Sequence, residues 1–258
     1  MDFIISASTD IGIKKNTNQD SLSVKTISTS QGKMVFAVLC DGMGGLSKGE
    51  LASATVIKAF DEWAEKELPR LCSSGINEKT IKSSWETIIL RQNEKIMNYG
   101  LRNGVKLGTT VVIMLITETK YYVLNVGDSR AYEIDSELKQ LTKDQTFIAR
   151  EIECGRMTPE EARVSPQRNV LLQCVGASNI VSPDMFYGVT KADTVYMLCS
   201  DGFRHEISAD EIYKSFAPDK MTDAKIMKKN TDSLIELNKS RLEPDNISVI
   251  TIRTLNDI

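Results

Sequence analysis

The run Val35–Cys40 is apolar without a break, and it stops on a carboxylate: Ala37-Val38-Leu39-Cys40-Asp41-Gly42-Met43-Gly44-Gly45. An unbroken apolar run of this length reads as a buried strand. The three glycines after Asp41 permit close backbone approach, so the strand delivers Asp41 to a tight loop with an exposed backbone. The same pattern returns in Val195-Tyr196-Met197-Leu198-Cys199-Ser200-Asp201-Gly202 and in Tyr121–Asn125 followed by Val126-Gly127-Asp128-Ser129-Arg130. A fourth carboxylate, Asp245, stands just before the last apolar stretch. A single Asp-Gly is a common hairpin turn. Four acidic strand ends spread over more than two hundred residues suggest that the ends of one sheet system converge. Carboxylates gathered in this way repel one another unless a cation holds them together. Carboxylate, carbonyl and water ligands suit Mg²⁺ or Mn²⁺.

Composition removes several alternatives. The net charge of −3 argues against a nucleic-acid binder that works through a basic surface. The five cysteines are scattered and form no C-x-x-C pair, which fits a reducing compartment better than a disulfide framework. The single histidine, His205, excludes a multi-histidine zinc site and argues against a Ser-His-Asp triad. The start, Met1-Asp2-Phe3-Ile4-Ile5, lacks a basic region followed by a long apolar run, so no signal peptide is expected. No stretch approaches the roughly twenty apolar residues of a membrane span. A cytoplasmic location follows as an expectation.

Along the chain, residues 2–9 and Leu22–Ile27 read as strands around a polar, Asn-rich loop. Ala52, Val56, Phe60, Trp63 and Ala64 fall on one helical face, with Ser47 as N-cap, Glu50 three residues on, and Pro69 closing the helix. Asn77 caps a second helix that buries Ile81, Trp85, Ile88, Ile89, Ile96 and Tyr99 and ends at Gly100 or Gly104. Residues 109–117, 121–126 and 131–134 read as a three-strand meander. Residues 144–184 are irregular apart from a short helix begun by Thr158-Pro159, and a long segment of this kind is often a lid or binding loop. A strand into Asp201, helices near 209–216 and 223–238, and a last strand 247–253 complete the chain. No linker or repeat divides it, so residues 1–258 read as one domain of the α+β class, a sandwich.

The ordered set of motifs resembles the metal-dependent PPM-type (type 2C) serine/threonine protein phosphatases, the bacterial ones in particular. Asp10-x-Gly12-x-x-Lys15-x-x-Asn18-Gln19-Asp20 is similar to the family's N-terminal motif, and Asp41-Gly42-Met43-Gly44-Gly45 to its Asp-Gly-Met-Gly-Gly motif. Gly108-Thr109-Thr110, Gly127-Asp128-Ser129-Arg130, the stretches 155–162 and 168–171, Ser200-Asp201-Gly202 and Asp245-Asn246 follow in the family's order. The resemblance covers nearly the whole chain. It implies two stacked antiparallel β-sheets flanked by helices, an α-β-β-α sandwich, with a flap at about 144–184. It also implies two divalent cations, Mn²⁺ or Mg²⁺. Asp41 would bridge them, with the Gly42 carbonyl on one and Asp201 and Asp245 completing the other. Asp128, with Asp201, would hold a third, weaker one. Gln19, Asp20 and Asn246 would lie behind the metals, and Lys15 would hold the substrate phosphate. The implied reaction is hydrolysis of phosphoserine or phosphothreonine by a water or hydroxide bridging the two cations. Phosphoprotein substrates and a cognate Ser/Thr kinase are the implied partners, and a monomer the implied state.

Two departures matter. Lys15 stands where the family usually has arginine, and a lysine lacks the planar fork that grips phosphate through two hydrogen bonds. Gln19 stands in place of glutamate, which removes a negative charge near the metals. Both motivate a rival reading: a catalytically weakened pseudophosphatase that binds phosphoproteins or regulates others. His205 is read as a surface or capping residue, with a proton shuttle at the site rim as the alternative. A nucleotide-binding protein built on Gly42–Gly45 is a poor third reading, because neither G-x-G-x-x-G nor G-x-x-x-x-G-K-[ST] is present.

Overall fold

The computed structural model describes residues 1–29, 32–43 and 48–255. Ten strands are found among them: β1 (Asp2–Asp10), β2 (Ser21–Thr29), β3 (Gly32–Cys40), β4 (Val111–Ile116), β5 (Lys120–Val126), β6 (Arg130–Ile134), β7 (Leu138–Gln140), β8 (Asp184–Val189), β9 (Val195–Cys199) and β10 (Ile247–Leu255). They form two five-stranded antiparallel sheets, ordered β1-β10-β9-β6-β7 and β2-β3-β4-β5-β8. The helices are α1 (Gly49–Lys66), α2 (Leu68–Ser74), α3 (Glu78–Asn103), α4 (Phe147–Glu153), α5 (Pro159–Val164), α6 (Asp201–Arg204), α7 (Ala209–Phe216) and α8 (Ala224–Ser240).

The unbroken apolar strands are explained by stacking. Along β3, Val35, Ala37 and Leu39 face the other sheet, where they meet Leu198, Ile250 and Ile252. Met34, Phe36, Val38 and Cys40 face the other way, onto α1 and α3. A strand covered on both faces has no use for polar alternation. On the outer side of the β1-β10-β9-β6-β7 sheet, Met197, Cys199 and Val249 pack against Phe203, Phe216, Met227 and Leu234 from the C-terminal helices. The result is the expected α-β-β-α sandwich.

The two long helices bury the predicted stripes. Phe36, Phe60, Trp63 and Trp85 form a connected aromatic cluster, with Trp63 and Trp85 edge to face at 5.6 Å between ring centres. Asn77 caps α3 by accepting from Thr80 N at 3.0 Å, and Thr158 caps α5 in a reciprocal box with Glu161. Ser47, the expected cap of α1, lies outside the described residues, as do Gly44 and Gly45; Lys48 holds the position before Gly49 with no side-chain cap bond.

Two expectations are corrected. Pro69 does not close α1, which ends at Lys66; the proline stands in the first turn of α2, where its missing N–H costs nothing. Residues 109–134 are not a meander. β4 and β5 pair, but β6 crosses to the other sheet and pairs with β7 and β9. The Gly127-Asp128-Ser129 turn is therefore a sheet-to-sheet crossing.

Trp85 is fully buried at the centre of the aromatic cluster. Trp85→Ala is expected to destabilise the fold by about 3–5 kcal/mol. Urea unfolding followed by far-ultraviolet circular dichroism measures this, and a loss under about 1 kcal/mol would show that the cluster is not a main element of the core.

Candidate active site

Each expected site residue stands at one end of the sandwich. Asp41 leaves β3, and its backbone is locked in place from the neighbouring strand: Asp41 N donates to Thr110 Oγ1 (3.1 Å), and its carbonyl accepts from Thr110 N and Thr109 Oγ1 (both 2.9 Å). Gly42 N donates to the Gln19 carbonyl at 3.1 Å, which ties this loop to the Asn-rich one. Asp128 is buried at the crossing between sheets. Asp201 opens α6 directly after β9, and Asp245 and Asn246 lead into β10.

Asn246 is the tether of the site. Its amide nitrogen donates to the carbonyls of Ile11 (2.9 Å) and Thr17 (3.3 Å), and its oxygen accepts from Gln19 N (2.9 Å). The glycines of the flanking motifs pack on the same two residues. A Cβ on Gly12, whose φ is +75°, would come within 2.1 Å of the Asp245 carbonyl oxygen, and one on Gly202 within 2.2 Å of the Asn246 carbonyl oxygen. Any side chain at either position would push the carboxylate loops apart.

Asp41 feels four other carboxylates. Burial pushes its carboxyl well above the usual range, and Asp20, Asp201, Asp245 and Asp128 add to the shift. Burial, then Asp201 and Asp245, raise Asp20 to about 7, although the Ser248 and Ser200 hydroxyls partly offset this. Neither Asp20 oxygen has a partner in hydrogen-bonding geometry, so those hydroxyls act from nearby without a formed bond. Burial and Asp201 likewise raise Asp128 to about 7 against the pull of Arg204. Asp201 goes the other way: burial opposes it, but the His205 and Arg204 charges and a hydrogen bond from Asp41 hold it below its ordinary value.

The donors fit a hard divalent cation. All are oxygens. Asp201 Oδ1 and both oxygens of Asp20 are buried without a hydrogen-bond partner, and buried carboxylates are costly until something of opposite charge meets them. Among the described residues, no group of three or more His, Cys, Asp or Glu side chains is preassembled to hold a metal ion. One cation in contact with the cluster is Lys15, whose Nζ lies 2.7 Å from Asp245 Oδ1. Burial opposes its charge, but Asp245, Asp41 and Asp201 raise its pKa above the ordinary lysine value. The Gln19 side chain reaches toward Glu50, with 3.4 Å between Nε2 and Oε2.

Sequence reasoning missed a ring of ion pairs around the carboxylates. Arg130 grips Asp144 through two hydrogen bonds of 2.8 and 2.7 Å. Arg204 donates to the Asp128 carbonyl at 2.9 Å and lies 3.7 Å from the carboxylates of both Asp128 and Asp144. His205 sits between Asp201 (3.5 Å) and the almost fully buried Glu243 (3.4 Å), and Glu243 also accepts from Asp245 N at 2.9 Å. Arg130 and Arg204 thus converge on one carboxylate. Their shared partner, Asp144, carries no local signal. Gln145 accepts from Gly127 N and donates to Asp184, both at 2.8 Å, so it staples the start of the 144–184 segment to the crossing. Asn93 of α3 holds the far part through Gly176 N (2.6 Å) and the Ser178 carbonyl (3.0 Å). Between this segment and the carboxylates lies a cleft of about 330 Å³, lined by Asp128, Asp144, Arg163, Arg168, His205 and Asp245 among others.

Comparison with known proteins agrees with the geometry. The family model described as protein phosphatase 2C matches residues 13–229. A putative protein phosphatase 2C-type of Streptococcus pyogenes is 30% identical over 251 residues, covering 96% of each chain. The crystal structure of the serine/threonine phosphatase Stp1 from Staphylococcus aureus superposes with a TM-score of 0.83 at 29% identity, over 98% of this chain and 95% of that one. The catalytic domain of the serine/threonine protein phosphatase PstP, solved in complex with two manganese ions, gives 0.79 at 26% identity over 98% and 99%. With the family model matching most of the chain and the Streptococcus pyogenes relative 30% identical across 96% of it, the chain belongs to the protein phosphatase 2C family.

Proposed function

We propose that this chain hydrolyses phosphoserine and phosphothreonine in proteins, with two divalent cations, Mn²⁺ or Mg²⁺, held by Asp41, the Gly42 carbonyl, Asp201 and Asp245. The observation that carries this reading is the gathering of four aspartates from both sheets around Asp41, where their burial is unfavourable without a cation. PstP, a relative of similar fold, is described in complex with two manganese ions. When bound, such a pair lowers the pKa of a water toward neutrality and offsets charge on the phosphoryl oxygens. Asp128, with Asp201, would take a third cation.

The remaining work falls to the chain's own groups. Lys15 brings a positive charge to the phosphoryl oxygens from a loop that Asn246 and Gly12 hold in register. Asp20 and Gln19 stand behind the carboxylates. Arg204 and Arg130 fix Asp128 and Asp144 at the wall of the cleft, where a phosphorylated side chain would enter beneath the 144–184 flap. The whole chain, 1–258, works as one domain in this reading. No helix among the described residues is long and apolar enough to cross a membrane. We place the chain in the cytoplasm as a monomer, with a Ser/Thr kinase supplying its substrates. The binding-module alternative rests on Lys15 and Gln19 alone, and no feature of the site favours it.

Three outcomes are expected. Wild-type protein hydrolyses a phosphothreonine peptide and p-nitrophenyl phosphate with Mn²⁺ or Mg²⁺ and stops in chelator, and Asp201→Asn, still folded by circular dichroism, loses turnover by at least about a hundredfold. Folded wild type without metal-dependent turnover would overturn the enzyme reading. At saturating Mn²⁺, Lys15→Ala raises KM for the phosphopeptide about tenfold while Lys15→Arg lowers it; if neither changes KM, Lys15 does not hold phosphate. In chelator, Asp20→Asn raises Tm by at least about 2 °C, because it removes a buried charge from a repelling cluster. A lower Tm would mean that the Asp20 carboxylate is already compensated.

A further inference from the structure

The loop bearing Lys15 is clamped on both sides of it. Asn246 holds Ile11 before it and Thr17 and Gln19 after it, and Gly12 lies against the Asp245 backbone. From this fixed loop Lys15 reaches the Asp245 carboxylate at 2.7 Å. Lys14, the residue before it, is exposed and makes no side-chain ion pair among the described residues.

Resting on the reading of this site as a metal-dependent phosphatase centre, we propose that Lys15 is an internal counter-cation for Asp245. It competes with the divalent cation for that carboxylate and is released to the phosphoryl group when the cation binds. The chemistry of lysine suits such an exchange. Its ammonium is a compact point charge on a flexible four-carbon stem, so it changes partner by rotamer while the backbone stays in place. The planar guanidinium of arginine prefers to hold a carboxylate through two parallel bonds. The carboxylates of Asp41 and Asp201 also favour the charged ammonium, so the chain supplies a cation to this cluster by itself. Linkage then requires a coupling: whatever draws Lys15 off Asp245 tightens cation binding, and cation binding frees Lys15 for an anion by the same factor. The metal concentration at which the centre fills is thus partly set by a residue that ligates no metal.

The test is a Mn²⁺ titration by isothermal calorimetry, without phosphate or substrate, on wild type, Lys15→Met and Lys14→Met. Thermal shift against Mn²⁺ on the same three proteins gives a second readout. Lys15→Met is expected to bind Mn²⁺ about fivefold tighter or more, while Lys14→Met, with the same change in formal charge, stays within about twofold of wild type. Equal tightening in both variants would reduce the effect to long-range charge and overturn the proposal. So would unchanged affinity in Lys15→Met beside wild type that binds Mn²⁺, although the phosphatase reading would then stand. No Mn²⁺ binding by any of the three would remove both.

Discussion

The stacking of two sheets through one apolar layer sets the position of everything at the site. Asp41 comes from one sheet, and Asp201 and Asp245 come from the other. Their relative placement is therefore decided by how Leu39, Val112 and Met114 pack on Leu198, Ile250 and Ile252. Protein interiors of this kind are close-packed and transmit displacement. A change of volume in the middle layer would reach the carboxylates even though it touches none of them. The crossing at Gly127–Ser129, which carries Asp128 between the sheets, belongs to the same frame: Ser129 Oγ and Thr110 Oγ1 are 2.7 Å apart, beside the strand that locks Asp41.

The frame holds groups together that would otherwise separate. Burial and neighbouring carboxylates push Asp41, Asp20 and Asp128 above the usual carboxylate range, and buried oxygens of Asp20 and Asp201 lack a hydrogen-bond partner. Positive charge is arranged on different sides of the cluster. Lys15 contacts Asp245, while Arg204 and His205 flank Asp128 and Asp201. Arg130 secures Asp144 so that Arg204 has a second acidic neighbour. Such local conflict is common where a protein trades stability for a binding function. The glycines at 12 and 202 serve the same end, since they let the Asp245-Asn246 backbone be approached from both sides.

Much of this could be read along the chain. The apolar runs ending in Asp41, Asp128 and Asp201, and the one that begins just after Asp245, announced both the strands and the carboxylates. The stripes on α1 and α3 and the caps at Asn77 and Thr158 are local patterns and appear as expected. The elements that escaped are short or half-exposed: α2, α4, the three-residue β7 and the edge strand β8. In segments of seven residues or fewer, hydrophobic periodicity has too few repeats to register. Pro69 misled for a related reason, because a proline that ends one helix and a proline that begins the next look alike in sequence.

The sequence by itself determined which side chains are buried, where the strands end and which carboxylates stand at those ends, because burial pattern and turn chemistry act between near neighbours. Only the tertiary structure decided that β6 leaves its hairpin neighbours for the other sheet, that Asn246 clamps a loop more than two hundred residues away, and that Lys15 rests on Asp245. Arg130 with Asp144, and His205 with Glu243, belong to the same class. These are contacts between residues brought together only by tertiary folding, and no local periodicity encodes a distant partner.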